Sequence, residues 1–541
     1  MSYMPVNLGQ SKERPEVIVI GAGVAGFSAA LELAERGYQV KLLEQYTLGS
    51  GASGRNPGRM GHGFHYANIE TAKMYLRASI QVQRKYPNYL VGKNLPEDNP
   101  LRHGRYFIMK NSDYPASVIL DTYKEIKKEY QRLIEEDPAN EVFGPVKNFY
   151  RILKPHEYEN DVNMENVEVG VETAEHLFNW KDFSADIKEK ILENPNIKLY
   201  ENTEVVKLER GDIDESRFII HAKRKAESGE EVEETIHTDF IVNSTWQNIE
   251  KLNDQLNLTM APESRTNRLK CLLVVKLPES LHNSNSMFFC MGQHGMYSNL
   301  GNGYGMITYA KVTNMGTFHG LDLDERTTLL LNGGTTKEEK DEIAKEKDRI
   351  AKQMLEGITT YIPAMKDAEI VDVKFGIVQT EGKLTLEDLQ NPSSSFHKRN
   401  YYGVREEQIG FISNPAVKLF YFAQNGKLVA DLVDAQWEAT LKINQYMKTM
   451  IEDGERSNCP FSKDLRKGIL ASIERCSSST FEMELNTEEK DEAVKKKRPI
   501  SETIKKKKEL QKAITSHTLF EHEKPEQNVI SKPHSHQPGV K

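Results

Sequence analysis

Gly21, Gly23, Gly26 and Glu44 are the residues of this 541-residue chain whose types and spacing point most directly to chemistry. They stand in Val17-Ile18-Val19-Ile20-Gly21-Ala22-Gly23-Val24-Ala25-Gly26, with Ala30 and Gly37 following, and in Val40-Lys41-Leu42-Leu43-Glu44-Gln45. An apolar strand running into a glycine turn and then a helix aims the positive end of that helix at whatever lies above the turn. A pyrophosphate, being dianionic, suits that position. Gly21 permits the turn, Gly23 admits the phosphate to the backbone, and Gly26 lets the helix lie close on its strand. Ala22, Val24 and Ala25 complete the cradle. Glu44 ends the second strand, where a carboxylate accepts a ribose 2′-OH with Gln45 beside it, so the site expects a bound dinucleotide.

The next chemistry-bearing stretch is residues 49–66, glycine-dense and a loop by composition. It carries Ser53, Arg55 and Asn56, then Met60 and Gly61, and ends on His62, His65 and Tyr66. Ser53, Arg55 and Asn56 are donors suited to a phosphate or to a cofactor edge; Arg55 as a surface ion pair is the plainer alternative. His62 or His65 reads as a proton acceptor, as a covalent anchor, or as a packed ring. Tyr297, Tyr304 and Tyr309 read as pocket lining or as sheet core. The four cysteines (271, 290, 459, 476) are far apart and form no C-x-x-C pair. Neither a disulfide framework nor a metal site is expected.

These groups need a frame to hold them. The expected strands are Glu16–Ile20, Gln39–Leu43, Gly104–Met109, Val167–Glu172, Ile197–Tyr200, Thr203–Leu208 and Asp239–Trp246, with a hairpin of Arg217–Ala222 on Glu233–His237. Helices are expected at Ala25–Arg36, Glu70–Lys85, Ala116–Glu136, Asp182–Glu193, Gln247–Leu256 and Lys337–Gly357. Strands dominate from Arg265 to Asn400. Phe420–Gly426 reads as a buried strand turning into a long helix, Lys427–Ile451. The net charge is −8. From Arg456 onward, however, 18 Lys and Arg face 13 Asp and Glu, so the acid lies in the body. An acidic body argues against nucleic-acid binding. No apolar run reaches bilayer-spanning length, and the polar start lacks a signal-peptide core, so no membrane span and a cytoplasmic location are expected. The tail, 453–541, is expected to be basic and largely disordered, a solvated segment or a surface for an unknown partner.

Four segments together resemble the FAD-dependent oxidoreductases of the D-amino acid oxidase type, which include glycine and sarcosine oxidases. They are Gly21–Glu44; Ala52-Ser53-Gly54-Arg55-Asn56 with its following glycines; Asn202–Val206 leading to Asp239–Trp246; and Tyr402–Arg405 with Leu419–Lys427. The resemblance implies an α/β fold: a Rossmann-like FAD-binding domain of the glutathione reductase type, and a second, mostly antiparallel-sheet substrate domain. The FAD-binding domain would comprise 16–66, 165–260 and 401–452; the substrate domain, 67–164 and 261–400. It further implies FAD held by the residues above with the backbone of Val205 or Val206 at the adenine and Thr245 at the second flavin strand, Thr245 reading equally as a strand cap. Gly426 and Lys427 would face the flavin N1–C2=O edge, with Lys427 reading equally as solvent-exposed. Arg405 would serve the flavin or a substrate carboxylate, or else pair with Glu406 and Glu407 at the surface.

The expected activity is oxidation of a C–H bond next to an amine, in an amino acid or secondary amine, by hydride transfer to flavin N5. Oxygen or another acceptor would then take the electrons. His65, Tyr66 and Arg405 are the candidate catalytic residues. Two other readings are a hydroxy-acid or sugar-alcohol oxidase or dehydrogenase, and a flavin-binding scaffold whose basic tail binds a partner.

Overall fold

The computed structural model describes residues 14–456, apart from 212–215, 226–229, 259–264, 386, 389–390, 392–393 and 395–400. The side chains of 381 and 443–456 are also outside this description, as is the basic tail expected beyond 456.

A six-stranded sheet holds the fingerprint. Its order is β17 (Arg405–Gln408), β18 (Phe411–Ser413), β10 (Ile241–Asn243), β1 (Glu16–Ile20), β2 (Gln39–Leu43) and β6 (Ile197–Tyr200). All pairs are parallel except β17 on β18. Parallel strands are covered on both faces, which is why Val17, Ile18, Val19 and Ile20 are all buried. One face packs on α1 (Val24–Glu35) and on the long helix α9 (Phe422–Arg456), through Val17, Val19, Leu33, Val429 and Val433. The other face packs on a three-stranded sheet, β7 (Thr203–Arg210), β8 (Phe218–Lys225) and β9 (Glu231–Thr238), and on α5 (Ile249–Asp254).

A nine-stranded sheet forms the second half. β11 (Arg265–Lys276) pairs along its length with β16 (Glu369–Glu381). Its other edge is shared by β15 (Asn314–His319) and β14 (Tyr304–Tyr309). The sheet continues through β13 (Gly295–Gly301), β12 (Ser286–Cys290), β3 (Gly104–Met109), β5 (Val167–Thr173) and β4 (Tyr150–Ile152). Alternation along β3 sorts its two faces. Phe107 and Met109 join the core under α8 (Lys337–Thr359), while Tyr106 and Ile108 join the core with α2 (Ile69–Lys85) and α3 (Ala116–Glu136). Further α-helices with stated bounds among the described residues are α4 (Trp180–Glu193), α6 (Ala310–Thr313) and α7 (Glu325–Asn332). Among the described residues no helix is long and apolar enough to cross a membrane.

Two expectations are corrected here. Val167–Glu172, read with the FAD-binding half, is β5 of the large antiparallel sheet, paired with β3 and β4. Phe420–Gly426 is not a strand: the last strand among the described residues is Phe411–Ser413, and helix α9 already begins at Phe422 after a short turn at Leu419–Tyr421. The run Leu419–Ala423 is apolar because it is buried against α2 and the rings of Tyr75 and Tyr86, not because it is extended. A short apolar run carries no period that separates strand from buried helix.

Candidate cofactor and substrate site

The glycine turn is built as its spacing requires. Gly21 has φ +93°, and a β-carbon there would stand 2.8 Å from the Ser244 carbonyl oxygen at the end of β10. A β-carbon on Gly26 would run into the Gly21 carbonyl oxygen. Helix α1 has no acidic residue in its first turn, so its positive end is left uncompensated. Ser53 Oγ accepts the Val24 amide at 3.0 Å, tying the 49–66 loop to that helix end. Glu44 accepts the amides of Ala22 (2.8 Å) and Tyr46 (3.0 Å). Burial raises its pKa, against those two hydrogen bonds.

A cavity of about 980 Å³ opens from this turn. At one end it is walled by Glu44, Gln45, Tyr46, Val206 and Gln255; it passes Gly21, Gly23, Val24, Ala25 and Ser53 and reaches Asn56, Thr245, Trp246 and the segment Pro415–Leu419. Its roof is the face of the large sheet, with Lys270, Leu272, Met296, Thr308 and Lys374. Arg55 also lines it and donates to two main-chain carbonyls of the substrate half, Phe375 (3.0 Å) and Leu331 (3.3 Å). Burial lowers its pKa. The length of the cavity and its helix terminus fit a dinucleotide. So does Ser244 Oγ, a buried hydroxyl in its wall with no hydrogen-bond partner among the described residues.

Several predicted residues lie elsewhere. Ala22 and Gly26 form the back of the turn rather than the cavity wall. Met60 is buried behind the loop, its carbonyl accepting from Ser79 Oγ at 3.2 Å, and Gly61 lies under the His65 ring. Gly426 sits one turn inside α9, pressed on Ser28 of α1, so it serves a helix crossing. Lys427 is exposed and pairs with Asp431 at 2.8 Å. Arg405 is on the edge strand β17, bonded to Glu250 (2.7 Å) and Glu407 (2.9 Å). It does not reach the cavity. Tyr297, Tyr304 and Tyr309 also do not line it; their neighbours of opposite parity, Met296 and Thr308, do.

His65, Tyr66 and Lys418 meet at the far end. Lys418, in the cavity wall, holds its ammonium 4.7 Å from the centre of the Tyr66 ring. The His65 ring lies edge-on to Phe288 at 4.6 Å, and Phe288 stands opposite Met296 in the sheet register. His65 therefore sits one strand beyond the open roof. Burial pushes its pKa down to about 3, so the ring is uncharged near neutrality. His62 is a packed residue, stacked on Phe143 at 3.6 Å with Nε2 3.1 Å from the Ala174 carbonyl.

Residues that sequence reasoning missed are Trp246, whose Nε1 donates to the Ile377 carbonyl at 2.8 Å, the Pro415–Leu419 turn, and Arg59 with Glu175. Ala416, with φ +42°, marks that turn without a glycine to announce it.

A glycine-turn parallel sheet opening on a long cavity, roofed by a mainly antiparallel sheet, defines a two-part nucleotide-cofactor enzyme. The chain belongs to the DAO family of FAD dependent oxidoreductases, whose model matches residues 16–402. It is 56% identical over 52 residues to the probable oxidoreductase OrdL of Haemophilus influenzae, a stretch covering 10% of this chain and 12% of that one. It is 43% identical over 58 residues to gamma-glutamylputrescine oxidoreductase of Escherichia coli, covering 11% and 14%. The chain thus spans only about an eighth of the length of these curated relatives. Among solved structures, L-amino acid deaminase from Proteus myxofaciens superposes with a TM-score of 0.51 at 14% identity, over 80% of this chain and 93% of that one. That likeness is one of fold.

Proposed function

We propose that the enzyme oxidises a C–H bond adjacent to the nitrogen of a small amine or amino acid. The observation that carries this reading is Lys418 in the cavity wall, its ammonium held over the Tyr66 ring with the His65 ring next to it, a cation that favours an uncharged amine nitrogen over an ammonium at that end. One of the named similar proteins, gamma-glutamylputrescine oxidoreductase, supports an amine rather than an alcohol. FAD, when bound, supplies the hydride acceptor at its N5.

The remaining work falls to the chain. The amides of Gly23 and Ala25 and the dipole of α1 would take the pyrophosphate, with Ser53 and Arg55 beside it; the amides of Gly21, Ala22 and Val24 are already donated to Leu43, Glu44 and Ser53. Glu44 and Gln45 take the adenosine ribose, and the Val206 backbone takes the adenine. Asn56, Thr245 and Trp246, which line the cavity beyond the glycine turn, would border the flavin ring system. Lys418 and the nearby start of α9 favour negative charge at that end of the cavity. Lys418 favours the amine in its uncharged form, whose lone pair can assist C–H cleavage. Met296, Leu272 and Phe288 keep that region apolar.

The test is anaerobic bleaching of the bound flavin against a panel of primary amines, secondary amines, amino acids, hydroxy acids and sugar alcohols. Bleaching by an amine or amino acid is the expected result. Bleaching by alcohols alone overturns the reading.

A further inference from the structure

The roof of the cavity carries a notch on its outer strand, β16. Leu269, Cys271 and Leu273 of β11, and Val373, Phe375 and Ile377 of β16, are buried in the core under α8. Alternation therefore turns Lys270, Leu272, Lys374 and Gly376 toward the cavity, which all four line. The register sets Lys374 opposite Leu272 and Gly376 opposite Lys270. Gly376 thus has Lys270 across from it and Lys374 two residues before it on the same face. A β-carbon on Gly376 would meet nothing within 4 Å. The space is floored by bare backbone and has a lysine on each of two sides.

Lys374 makes no side-chain hydrogen bond or ion pair with any described residue. Among the described residues, the acids that line the cavity are Glu44 and Glu204, at its adenosine end, and Asp322, which pairs with Lys251 at 2.9 Å. Arg55 adds a third cation at the outer edge of the same strand, donating to the carbonyl of Phe375, the residue between Lys374 and Gly376. A carboxylate entering the notch would meet ammonium donors without displacing an acid. The glycine turn and α1, which suit a pyrophosphate, belong to the other sheet.

The amine end lies elsewhere along the roof. Lys418 stands over the Tyr66 ring, the Tyr66 and His65 rings are 6.3 Å apart, and His65 lies against Phe288, which is opposite Met296 of β13. Strands β14 and β11 separate β13 from β16. The notch is therefore three strand spacings, about 14 Å, from Met296. The roof between them is Met296, Thr308 and Leu272, which carry no charge. We propose that the notch at Gly376, with Lys374 and Lys270, binds a carboxylate carried at the far end of the amine substrate, so that the enzyme selects ω-amino acids over α-amino acids and plain alkylamines. This inference rests on the amine oxidation proposed above. The two lysines determine specificity; they hold the end of the substrate that does not react.

The first test needs no turnover. Butanoate, hexanoate and octanoate, which carry the chain and the carboxylate but no amine, are titrated by calorimetry into the full-length FAD-loaded protein. At least one should bind. Lys374→Met and Lys270→Met should each weaken that binding about tenfold, the loss of one charge-assisted contact, and Lys374→Arg should retain it. Gly376→Val changes no charge and suits a strand, so it should fill the notch and weaken binding similarly, at unchanged FAD content and melting midpoint. A wild-type protein that binds none of the three overturns the proposal, as does binding that survives Lys374→Met and Gly376→Val. Lysine variants that lose FAD but keep their affinity for the carboxylate assign the lysines to the cofactor, and also overturn it. In turnover, 6-aminohexanoate should show a lower KM than hexylamine or 2-aminohexanoate. Lys374→Met should raise that KM about tenfold at constant kcat and leave the KM for hexylamine where it was. Equal KM values for the three amines overturn the proposal. A bleaching screen answered only by alcohols overturns the proposed function, and the carboxylate titration still decides the notch.

Discussion

The α-carbon of Gly26 rests against the carbonyl oxygen of Gly21, five residues back in the same turn, with no room between them for a methyl group. The obstacle is backbone, so no side-chain rotation relieves it. Gly26→Ala should cost about 1–3 kcal/mol through overpacking. It should also tilt α1 away from the phosphate position. A lower melting midpoint together with a reduced flavin-to-protein absorbance ratio checks this; full FAD content at an unchanged midpoint contradicts it.

The last turn before α9 gives a paired prediction. Lys418 lines the cavity, whereas Lys427 lies on the exposed side of α9 with Asp431. Lys427→Ala should change stability by no more than about 0.5 kcal/mol, as expected of an exposed i,i+4 pair. It should leave the flavin spectrum as it was. Lys418→Met should lower the flavin reduction potential, because it removes a cation from the end where reduction places negative charge. Spectroelectrochemical titration of both variants separates the two lysines.

Arg405 should prove structural. It shares Glu250 with Arg265, at 2.7 and 2.8 Å, and also holds Glu407. Arg405→Ala leaves Glu407 without this partner and Glu250 with one arginine, so a loss of about 1–3 kcal/mol is expected. The KM for the substrate should not move. A raised KM at unchanged stability would return Arg405 to the site.

How much of this was legible in the sequence depends on whether a feature is local. The fingerprint is local: Gly21, Gly26 and Glu44 each act on atoms a few residues away or on the adjacent strand, so spacing alone locates them. The helix Ala116–Glu136 was also legible, because its apolar period faces one core. Arg405 had two readings, and the pair with Glu407 is the one seen; the sequence could not choose because its other partner, Glu250, is 155 residues distant, and a Gly-x-Arg segment looks the same whether its guanidinium meets a ligand or an acid. Lys427 misled because Leu419–Ala423 is apolar for helical burial. Glu175 was invisible for the same reason as Arg405: Arg59 lies 116 residues away, and Tyr106 arrives from a third element.

Three buried histidines set the acid limit of stability. Burial pushes His62 down to about 4 and His65 and His176 to about 3. In the unfolded chain each titrates near about 6.5. The folded pKa values are the lower ones, so between these limits the unfolded state binds more protons than the folded state. The stability contributed by neutral burial is therefore fully present above about pH 6.5 and is lost as the pH falls toward the folded values. Each such histidine contributes a slope of up to about 1.4 kcal/mol per pH unit in that window. Glu175 adds a second, lower window: Arg59 holds it at about 2, against about 4.3 unfolded, so its contribution is present above about pH 4.3 and lost below. Denaturant melts from pH 7.5 to 4.5 should show stability falling from about pH 6.5 downward. His62→Phe, which keeps a ring on Phe143, should flatten that fall by about one histidine's share. A wild-type stability that is flat across this range would mean that these rings are charged, or reach water, in the folded enzyme.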